Sequence, residues 1–202
     1  MAKPELTKQL LATTLKKLMK EIPLDKISVQ AIVDSCGLNR KTFYYHFQDK
    51  QALVCWIFDQ EYASLTDLNQ NDTIIDELIT HLYTNKDFYV AALTSKVQNN
   101  LQEHMFKVVY DGIIQKIRLI PGSDHMVPKE MNMIANYFTH ALMGSITEWA
   151  RDGMKSSPYE EISNFYPITQ ECLEYIVKKY ENKKENPLKH QLSPYNGVKM
   201  VF

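Results

Sequence analysis

The chain has 202 residues, of which 45% are hydrophobic and 23% are charged, and its formal net charge is −1. These values are typical of a globular protein with one or two domains, and the net charge by itself indicates no nucleic-acid partner. Three widely spaced cysteines without a C-x-x-C pair suit a reducing cytoplasm better than a disulfide framework. There is no signal-peptide pattern, and no apolar run is long enough for a membrane span, so a soluble cytoplasmic protein is expected.

The charge is distributed unevenly along the chain. Residues 1–50 contain nine lysines and arginines against five acidic residues, a net of +4, and residues 51–202 carry the remaining −5. This asymmetry favours a basic, DNA-facing module on a mildly acidic body. A solvated lysine-rich helix would alone account for Lys16, Lys17 and Lys20.

The first two predicted helices flank a proline. Apolar residues recur at helical spacing from Leu6 to Met19 and predict a helix over about residues 5–21, which Pro23 ends. Ser28 can cap the second helix, and Gly37 falls where the chain must turn sharply, with a positive φ expected. The apolar positions 29, 32, 36, 38 and 43 around this glycine match the helix-turn-helix template, except that Val33 stands where alanine is commonest.

The third predicted helix carries the densest polar chemistry of the chain. Asn39 is a good N-cap, and Arg40, Lys41 and Thr42 occupy the first turn, which reaches base edges when such a helix enters the major groove. Two cations in a first turn oppose the helix dipole at a cost of a few tenths of a kcal/mol, which a polyanionic partner would offset.

Aromatic residues follow on the same helix. Phe43 and Phe47 are four residues apart and are expected to point inward, whereas the hydroxyls of Tyr44 and Tyr45 can bind phosphate. After this helix, Lys50 lies at the start of the next one, a further anion-binding terminus. The alternative interpretation is an aromatic core helix with a solvated basic edge, which the neighbouring helix and Gly37 make less favourable.

The stretch GLNRKTFYYHF at residues 37–47, followed by Asp49, Lys50 and Leu53, closely resembles the DNA-binding domain of TetR-family regulators, over residues 5 to about 65. NRKTFYYHFQDK and the downstream WIF resemble the branch that contains activators of dihydroxyacetone kinase operons. The resemblance implies an all-α fold of about nine helices, with a three-helix homeodomain-like helix-turn-helix domain followed by a helical ligand-binding and dimerisation domain. It also implies a homodimer on a palindromic double-stranded DNA operator, modulated by a small-molecule effector or a protein co-regulator.

The same resemblance assigns contacts to DNA. The base contacts it implies are Gln30, Arg40, Lys41 and Thr42. The phosphate contacts it implies are Ser28, Tyr44, Tyr45 and Lys50, with His46 as a further candidate. Val29 stands where many relatives have threonine, which removes one expected phosphate contact.

Helical patterns continue through the rest of the chain. A polar break at residues 69–72 marks the predicted domain boundary, and Pro167 is expected to split or kink the last helix. The remaining helices are predicted over about residues 49–67, 74–83, 88–93, 99–119, 128–152 and 159–181. The expected domains are 1–67 for DNA binding, 68–181 for effector binding and dimerisation, and 182–202 as a tail.

No catalytic or metal-binding motif stands out. The six histidines form no H-x-x-x-H or H-E-x-x-H pair, and no P-loop, G-x-G-x-x-G or G-x-S-x-G is present, so neither an enzyme nor a metal or cofactor is expected. Aromatic and methionine residues of the second domain could line a ligand cavity but are more typical of core, so no effector-binding residue is assigned. The alternatives to a DNA-binding regulator are a co-regulator that binds a small molecule or protein without DNA, and a helical enzyme.

Overall fold

The structure is a computed structural model that describes residues 4–68, 74–95 and 100–185. The polar break predicted at residues 69–72 and most of the predicted tail, residues 186–202, lie outside this described part. The predicted limits of the domains remain a prediction.

All of the regular structure in the described ranges is helical, which confirms the predicted all-α class. Two short 3-10 helices, Leu24–Lys26 and Ser123–His125, accompany nine α-helices in these ranges. The α-helices are α1 (Pro4–Met19), α2 (Val29–Ser35), α3 (Arg40–His46), α4 (Lys50–Leu68), α5 (Ile74–Thr84), α6 (Lys86–Leu93), α7 (Asn100–Leu119), α8 (Pro128–Arg151) and α9 (Pro158–Glu185). None of the described helices is long and apolar enough to cross a membrane.

The N-terminal helices share one core. Helix α1 packs against α2, α3, α4 and α6. Its Leu11 and Leu15 are fully buried, as are Ile32 of α2, Phe43 of α3 and Leu53 of α4. Each such side chain contributes about 1.5–3 kcal/mol through removal of its apolar surface from water. Burial of Phe43 in this core therefore holds the inner face of α3 in place.

Helices α4, α5 and α6 form the next layer of contacts. Helix α5 packs against both α4 and α6. Phe58, Ile79, Leu82 and Tyr89 are almost completely buried in this region. The long α4 thus belongs both to the core around α1 and to the core around α5 and α6.

The last helix differs from its prediction. Helix α9 runs without interruption through Pro167 and continues to Glu185, four residues into the predicted tail. A proline removes one backbone donor and crowds the preceding turn, but a 28-residue helix retains many other backbone bonds on both sides. A split at Pro167, one of the two predicted outcomes, is therefore wrong, and the other outcome, a kink, stays a prediction.

Helix α8 ends at Arg151, close to the predicted limit of residue 152, and a glycine follows two residues later. Gly153 has a φ of 76°, and its N–H donates to the carbonyl of Ala150 at 3.0 Å. The N–H of Met154 donates to the carbonyl of Trp149 at 2.8 Å, which completes a Schellman motif. The Trp149 ring itself stacks on Tyr83 with a centroid distance of 6.1 Å.

The chain divides into two compact units. The first comprises residues 1–108 and 140–166 and contains helices α1 to α6. The second comprises residues 109–139 and 167–202. Its buried apolar residues include Ile117, Phe138 and Leu173, from α7, α8 and α9.

Candidate nucleic-acid interface

Helix α2 is closed at both ends by local hydrogen bonds. The Ser28 Oγ accepts the N–H of Ala31 at 3.1 Å, as predicted for an N-cap. At the other end the N–H of Leu38 donates to the Val33 carbonyl at 2.9 Å, and Gly37 has a φ of 68°. These features form a second Schellman motif and confirm the positive φ predicted for Gly37.

Helix α3 begins at the predicted cap. The Asn39 Oδ1 accepts the backbone N–H of Thr42 at 2.9 Å and its hydroxyl at 3.2 Å. Phe43 is fully buried and Phe47 nearly so, and their rings lie 5.9 Å apart. Phe47 also meets the ring of Trp56 edge-on at 5.9 Å. The aromatic anchor predicted for α3 is therefore present, and it leaves the opposite face of the helix outward.

The outward face begins with the two cations of the first turn. Arg40 and Lys41 are exposed and Thr42 is half-buried. The Arg40 Nη2 donates to the hydroxyl of Tyr44 at 3.0 Å, and its guanidinium lies 5.6 Å from the centre of that ring. This contact restrains Arg40 along the helix surface while most of its five N–H groups remain available to an acceptor.

The predicted phosphate-binding tyrosines are also exposed. Tyr44 has 48% and Tyr45 has 80% of its surface accessible, values high for aromatic side chains beside a packed core. The Tyr45 ring meets the half-buried His46 edge-on, with centroids 4.9 Å apart. The helix therefore presents two phenolic hydroxyls beside its cationic first turn.

Two predicted contacts lie on and before α2. Ser28 and Gln30 are both exposed. The Gln30 Nε2 donates to the Asp34 carboxylate at 2.6 Å, one turn further along the helix. The Ser28 hydroxyl keeps its own O–H donor while its oxygen caps the helix. Both side chains are thus accessible to an outside partner, and the base contact predicted for Gln30 stays a prediction.

Lys50 is placed differently from the other predicted contacts. Its ammonium donates to the carbonyl of Ile27 at 2.7 Å and to that of Leu24, both at the 3-10 turn before α2. Burial lowers the pKa of this lysine, and the charge of Asp25 opposes that effect. One of its three N–H groups is left for a phosphate. Lys50 therefore fastens the start of α4 to the turn before α2, in addition to the phosphate contact predicted for it.

A half-buried polar cluster joins four helices of the first unit. Glu61 of α4 accepts hydrogen bonds from Lys16 of α1, from His81 Nε2 of α5 at 2.8 Å and from the Tyr89 hydroxyl of α6. Burial opposes ionisation of the carboxyl, yet these three donors and the charge of Lys16 lower its pKa to about 2. Burial and the neighbouring Glu61 raise the pKa of the Tyr89 hydroxyl. We name these four residues the Glu61 cluster.

This cluster could not be predicted from the sequence. Its members are 8 to 73 residues from one another along the chain, because each comes from a different helix. A glutamate one turn from Ile57 and Phe58 on an amphipathic helix is the single local sign of a buried charge. Among the described residues, no group of His, Cys, Asp and Glu could hold a metal ion.

Comparison with protein families assigns both parts of the chain. Residues 11–55 match the family model described as "Bacterial regulatory proteins, tetR family", and residues 69–171 match that described as "Transcriptional regulator C-terminal region". The chain belongs to the TetR family of bacterial regulatory proteins. It is accordingly a transcriptional regulator and not an enzyme. Regulators of this family bind DNA, typically as dimers.

A curated protein with sequence similarity is the "HTH-type dhaKLM operon transcriptional activator DhaS" of Lactococcus lactis subsp. lactis (strain IL1403). It is 29% identical over 123 residues, which are 58% of this chain and 63% of that protein, so the match spans less than two thirds of the relative. A solved structure of "Dihydroxyacetone kinase operon activator DhaS" superposes with a TM-score of 0.63 at 21% identity. That superposition covers 84% of this chain and 97% of the other, and it shows a common fold.

Proposed function

We propose that the protein binds a palindromic operator as a homodimer, with α3 of each subunit in the major groove. Gln30, Arg40, Lys41 and Thr42 contact bases. Ser28, Tyr44, Tyr45 and Lys50 contact phosphates. The observation that supports this most is the outward face of α3, where a cationic first turn and two exposed tyrosines lie opposite a buried aromatic anchor.

Chemistry at the first turn fits sequence readout. Arginine and lysine hydrogen-bond the O6 and N7 of guanine, and the methyl group of a threonine packs on that of thymine. The exposed hydroxyls and the remaining N–H of Lys50 would fix the register of the helix by binding phosphates. Base contacts thus come from α2 and α3, whereas phosphate contacts come from other residues of α3, from the N-cap of α2 and from the start of α4.

Dimer formation is supported by apolar surface on the last helices. Met133 and Tyr137 of α8 are 61% and 72% exposed, and Ile168 and Tyr175 of α9 are 62% and 69% exposed. Each pair lies at helical spacing, i and i+4 or i+7, so each forms one side of its helix. A two-fold dimer would place its α3 helices about 34–36 Å apart, one turn of DNA. A solution mass equal to the monomer, 23.6 kDa, would contradict this proposal.

Regulation by an effector or protein co-regulator is part of the proposal. A ligand that favours one arrangement of the DNA-binding helices changes operator affinity by its differential affinity for the two arrangements. The sequence match and the structural match are both named DhaS and described as an operon activator, which favours activation over repression for this chain. A reporter joined to the chain's own upstream region should then lose expression when the gene is deleted, whereas a gain would indicate repression.

The test of DNA binding is the double substitution Arg40→Ala with Lys41→Ala. Loss of two base contacts should weaken binding to the upstream region of the gene at least tenfold, since each good base contact discriminates by about 1–3 kcal/mol. Lys129→Ala with Lys155→Ala removes the same charge from exposed positions outside α3 and is the matched control. Equal and equally specific binding by the α3 variant in a gel-shift assay would refute the assignment.

The alternative is a co-regulator that binds a partner without DNA. Such a protein needs no cationic, exposed first turn on α3, and the presence of Arg40, Lys41 and Tyr44 there argues against it. The same gel-shift assay separates the two, because the wild-type co-regulator would bind no operator fragment better than random DNA.

A further inference from the structure

A cavity of about 290 Å³ lies between α1 and the turn that joins α5 to α6. All the residues that line it belong to the first compact unit. Its volume is at the lower end of the range for small-molecule sites, about 300–1,000 Å³. The residues that line the cavity are distinct from those of the outward face of α3. Helix α1 connects the two regions, because it packs against both α3 and α6.

The apolar wall of the cavity comes from three side chains. Met19 and Phe88 are buried, and Tyr83 is half-buried and stacked on Trp149. A tyrosine held parallel to an indole is a rigid surface, because both rings are fixed by the contact. The wall can therefore accept a small apolar or aromatic group.

Three lysines also line the cavity. Lys20 and Lys86 are exposed, and Lys16 is partly buried, with Asp87 as the only acidic residue of the lining. The Lys86 Nζ lies 5.1 Å from the centre of the Tyr83 ring, and the Lys16 Nζ lies 5.0 Å from that of Phe88. Cations thus sit directly beside the apolar wall, where the local dielectric is lower than in water and attraction for an anion is stronger.

The backbone adds to the positive potential. Helix α6 starts at Lys86, and the residue before it, Asn85, makes no capping hydrogen bond with its side chain. The first N–H groups of a helix carry partial positive charge and favour an anion. The lysine side chains and the N-terminus of α6 therefore both favour a negatively charged ligand.

We propose that this cavity binds a small organic anion, with a carboxylate or phosphate held by Lys20 and Lys86 and an apolar body against Phe88 and Tyr83. Nothing in the family matches assigns a ligand to these residues. The regulatory consequence rests on the proposed function, whereas the binding itself does not.

Lys16 connects the cavity to the Glu61 cluster. Its ammonium bonds to Glu61 and lies 5.0 Å from the centre of the Phe88 ring, which lines the cavity, so a bound anion would compete with Glu61 for this cation. Helix α1, which carries Lys16, packs against both α2 and α3. Anion binding would thus change how α1 is attached to α4, α5 and α6, and with it the position of the DNA-binding helices.

The experiment is calorimetric titration of the full chain with four probes. Phenyl phosphate and benzoate carry an anion on an aromatic body, inorganic phosphate lacks the body, and benzyl alcohol lacks the charge. We expect saturable binding of phenyl phosphate or benzoate at millimolar concentration or below, at least about tenfold tighter than the other two. The stronger of the two anions identifies the head group. Absence of saturable binding of both below about 10 mM would overturn the proposal.

Variants locate the site. Lys20→Ala with Lys86→Ala should weaken the aromatic anion at least about tenfold, whereas Lys129→Ala with Lys155→Ala should leave it unchanged. Circular dichroism of each variant checks that the fold is retained. Equal affinity of a folded Lys20→Ala, Lys86→Ala variant would place the ligand elsewhere and refute the assignment.

A DNA titration with and without the bound probe tests the regulatory step separately. A change in operator affinity that disappears in the cavity variant supports the coupling, and an unchanged affinity overturns it. If the protein binds DNA but none of the anions, the cavity proposal alone fails. If it binds the anion at this site but no DNA, the proposed function fails and the binding site stands.

Discussion

The outer face of α3 and the Glu61 cluster are both rich in polar groups, but they use their hydrogen bonds in opposite ways. In the cluster, one carboxylate accepts three donors from three other helices, and the pKa of Glu61 falls to about 2. On α3, Arg40 bonds within its own helix and Tyr45 is 80% exposed. Donors directed inward stabilise the fold, and donors directed outward are available to a partner.

This difference indicates how the chain separates stability from recognition. Stability of the first unit depends on buried apolar side chains and on satisfied buried polar groups. Recognition depends on side chains whose removal costs the fold little. The two regions can therefore be tested independently, because substitutions in each should affect different measurements.

The largest expected effect is on the inner face of α3. Phe43→Ala removes a fully buried ring and should lower the free energy of unfolding by about 3–5 kcal/mol. Urea denaturation measures it, with Tyr45→Ala on the outward face as the control, expected to change stability by less than about 0.5 kcal/mol. A small effect of Phe43→Ala would mean that polar groups hold α3 in place, which would contradict the separation of stability from recognition.

The next effect concerns the charge of Glu61. Its pKa is depressed from 4.5 to about 2 in the folded chain, so its ionisation stabilises the fold above pH 4.5, and that stabilisation is lost as the pH falls towards 2. Glu61→Gln should reduce stability at pH 7 by about 3 kcal/mol, and the difference from wild type should shrink below pH 4.5. The control is Glu171→Gln, at an exposed position. A difference independent of pH would show that the charge is not what the cluster stabilises.

A smaller effect is expected at the turn between α2 and α3. A Cβ at Gly37 would meet nothing within 4 Å, so Gly37→Ala should cost only the strain of a positive φ, about 1 kcal/mol. Gly112 in α7 also has open space but no positive φ, and Gly112→Ala should instead stabilise by about 0.5–1 kcal/mol. Thermal unfolding of both variants measures the opposite signs. If both substitutions changed stability in the same direction, backbone conformation would not explain why a glycine occupies position 37.

The smallest effect on stability is expected at Tyr45. Tyr45→Phe removes one exposed hydroxyl and should leave the free energy of unfolding unchanged while weakening binding to every DNA sequence by about two- to tenfold. Fluorescence anisotropy with operator and random fragments measures the loss. Tyr159→Phe, at a position 81% exposed on α9, is the control. A loss restricted to the operator would assign Tyr45 to bases instead of phosphates.

Local features of the fold were predictable from sequence. The caps at Ser28 and Asn39, the positive φ of Gly37 and the burial of Phe43 all follow from residues within one or two turns of each other. Most helix limits were predicted within a few residues, since apolar periodicity extends along each helix. The exception was Pro167, where the rest of the helix outweighs one lost donor.

Contacts between distant segments were not predictable in this way. The carbonyls that receive the Lys50 ammonium lie 23 and 26 residues earlier, in a 3-10 turn, and no local pattern indicates them. The Glu61 cluster and the cavity each combine residues from several helices. Only the packing of those helices brings such side chains together, and residue spacing along one chain does not specify it. The predicted roles of the DNA-contacting residues remain predictions, although the structure places most of them outward.

The two tryptophans of the chain lie one beside each of the two proposed binding sites. Trp56 meets Phe47 directly after α3, and Trp149 stacks on Tyr83 in the wall of the cavity. Each of the two proposed binding events, that of DNA and that of the anion, thus has a tryptophan fluorophore beside it. In a Trp149→Phe variant the remaining emission would report on DNA, and in a Trp56→Phe variant on the anion, so the order of the two bindings could be followed in real time without an added label.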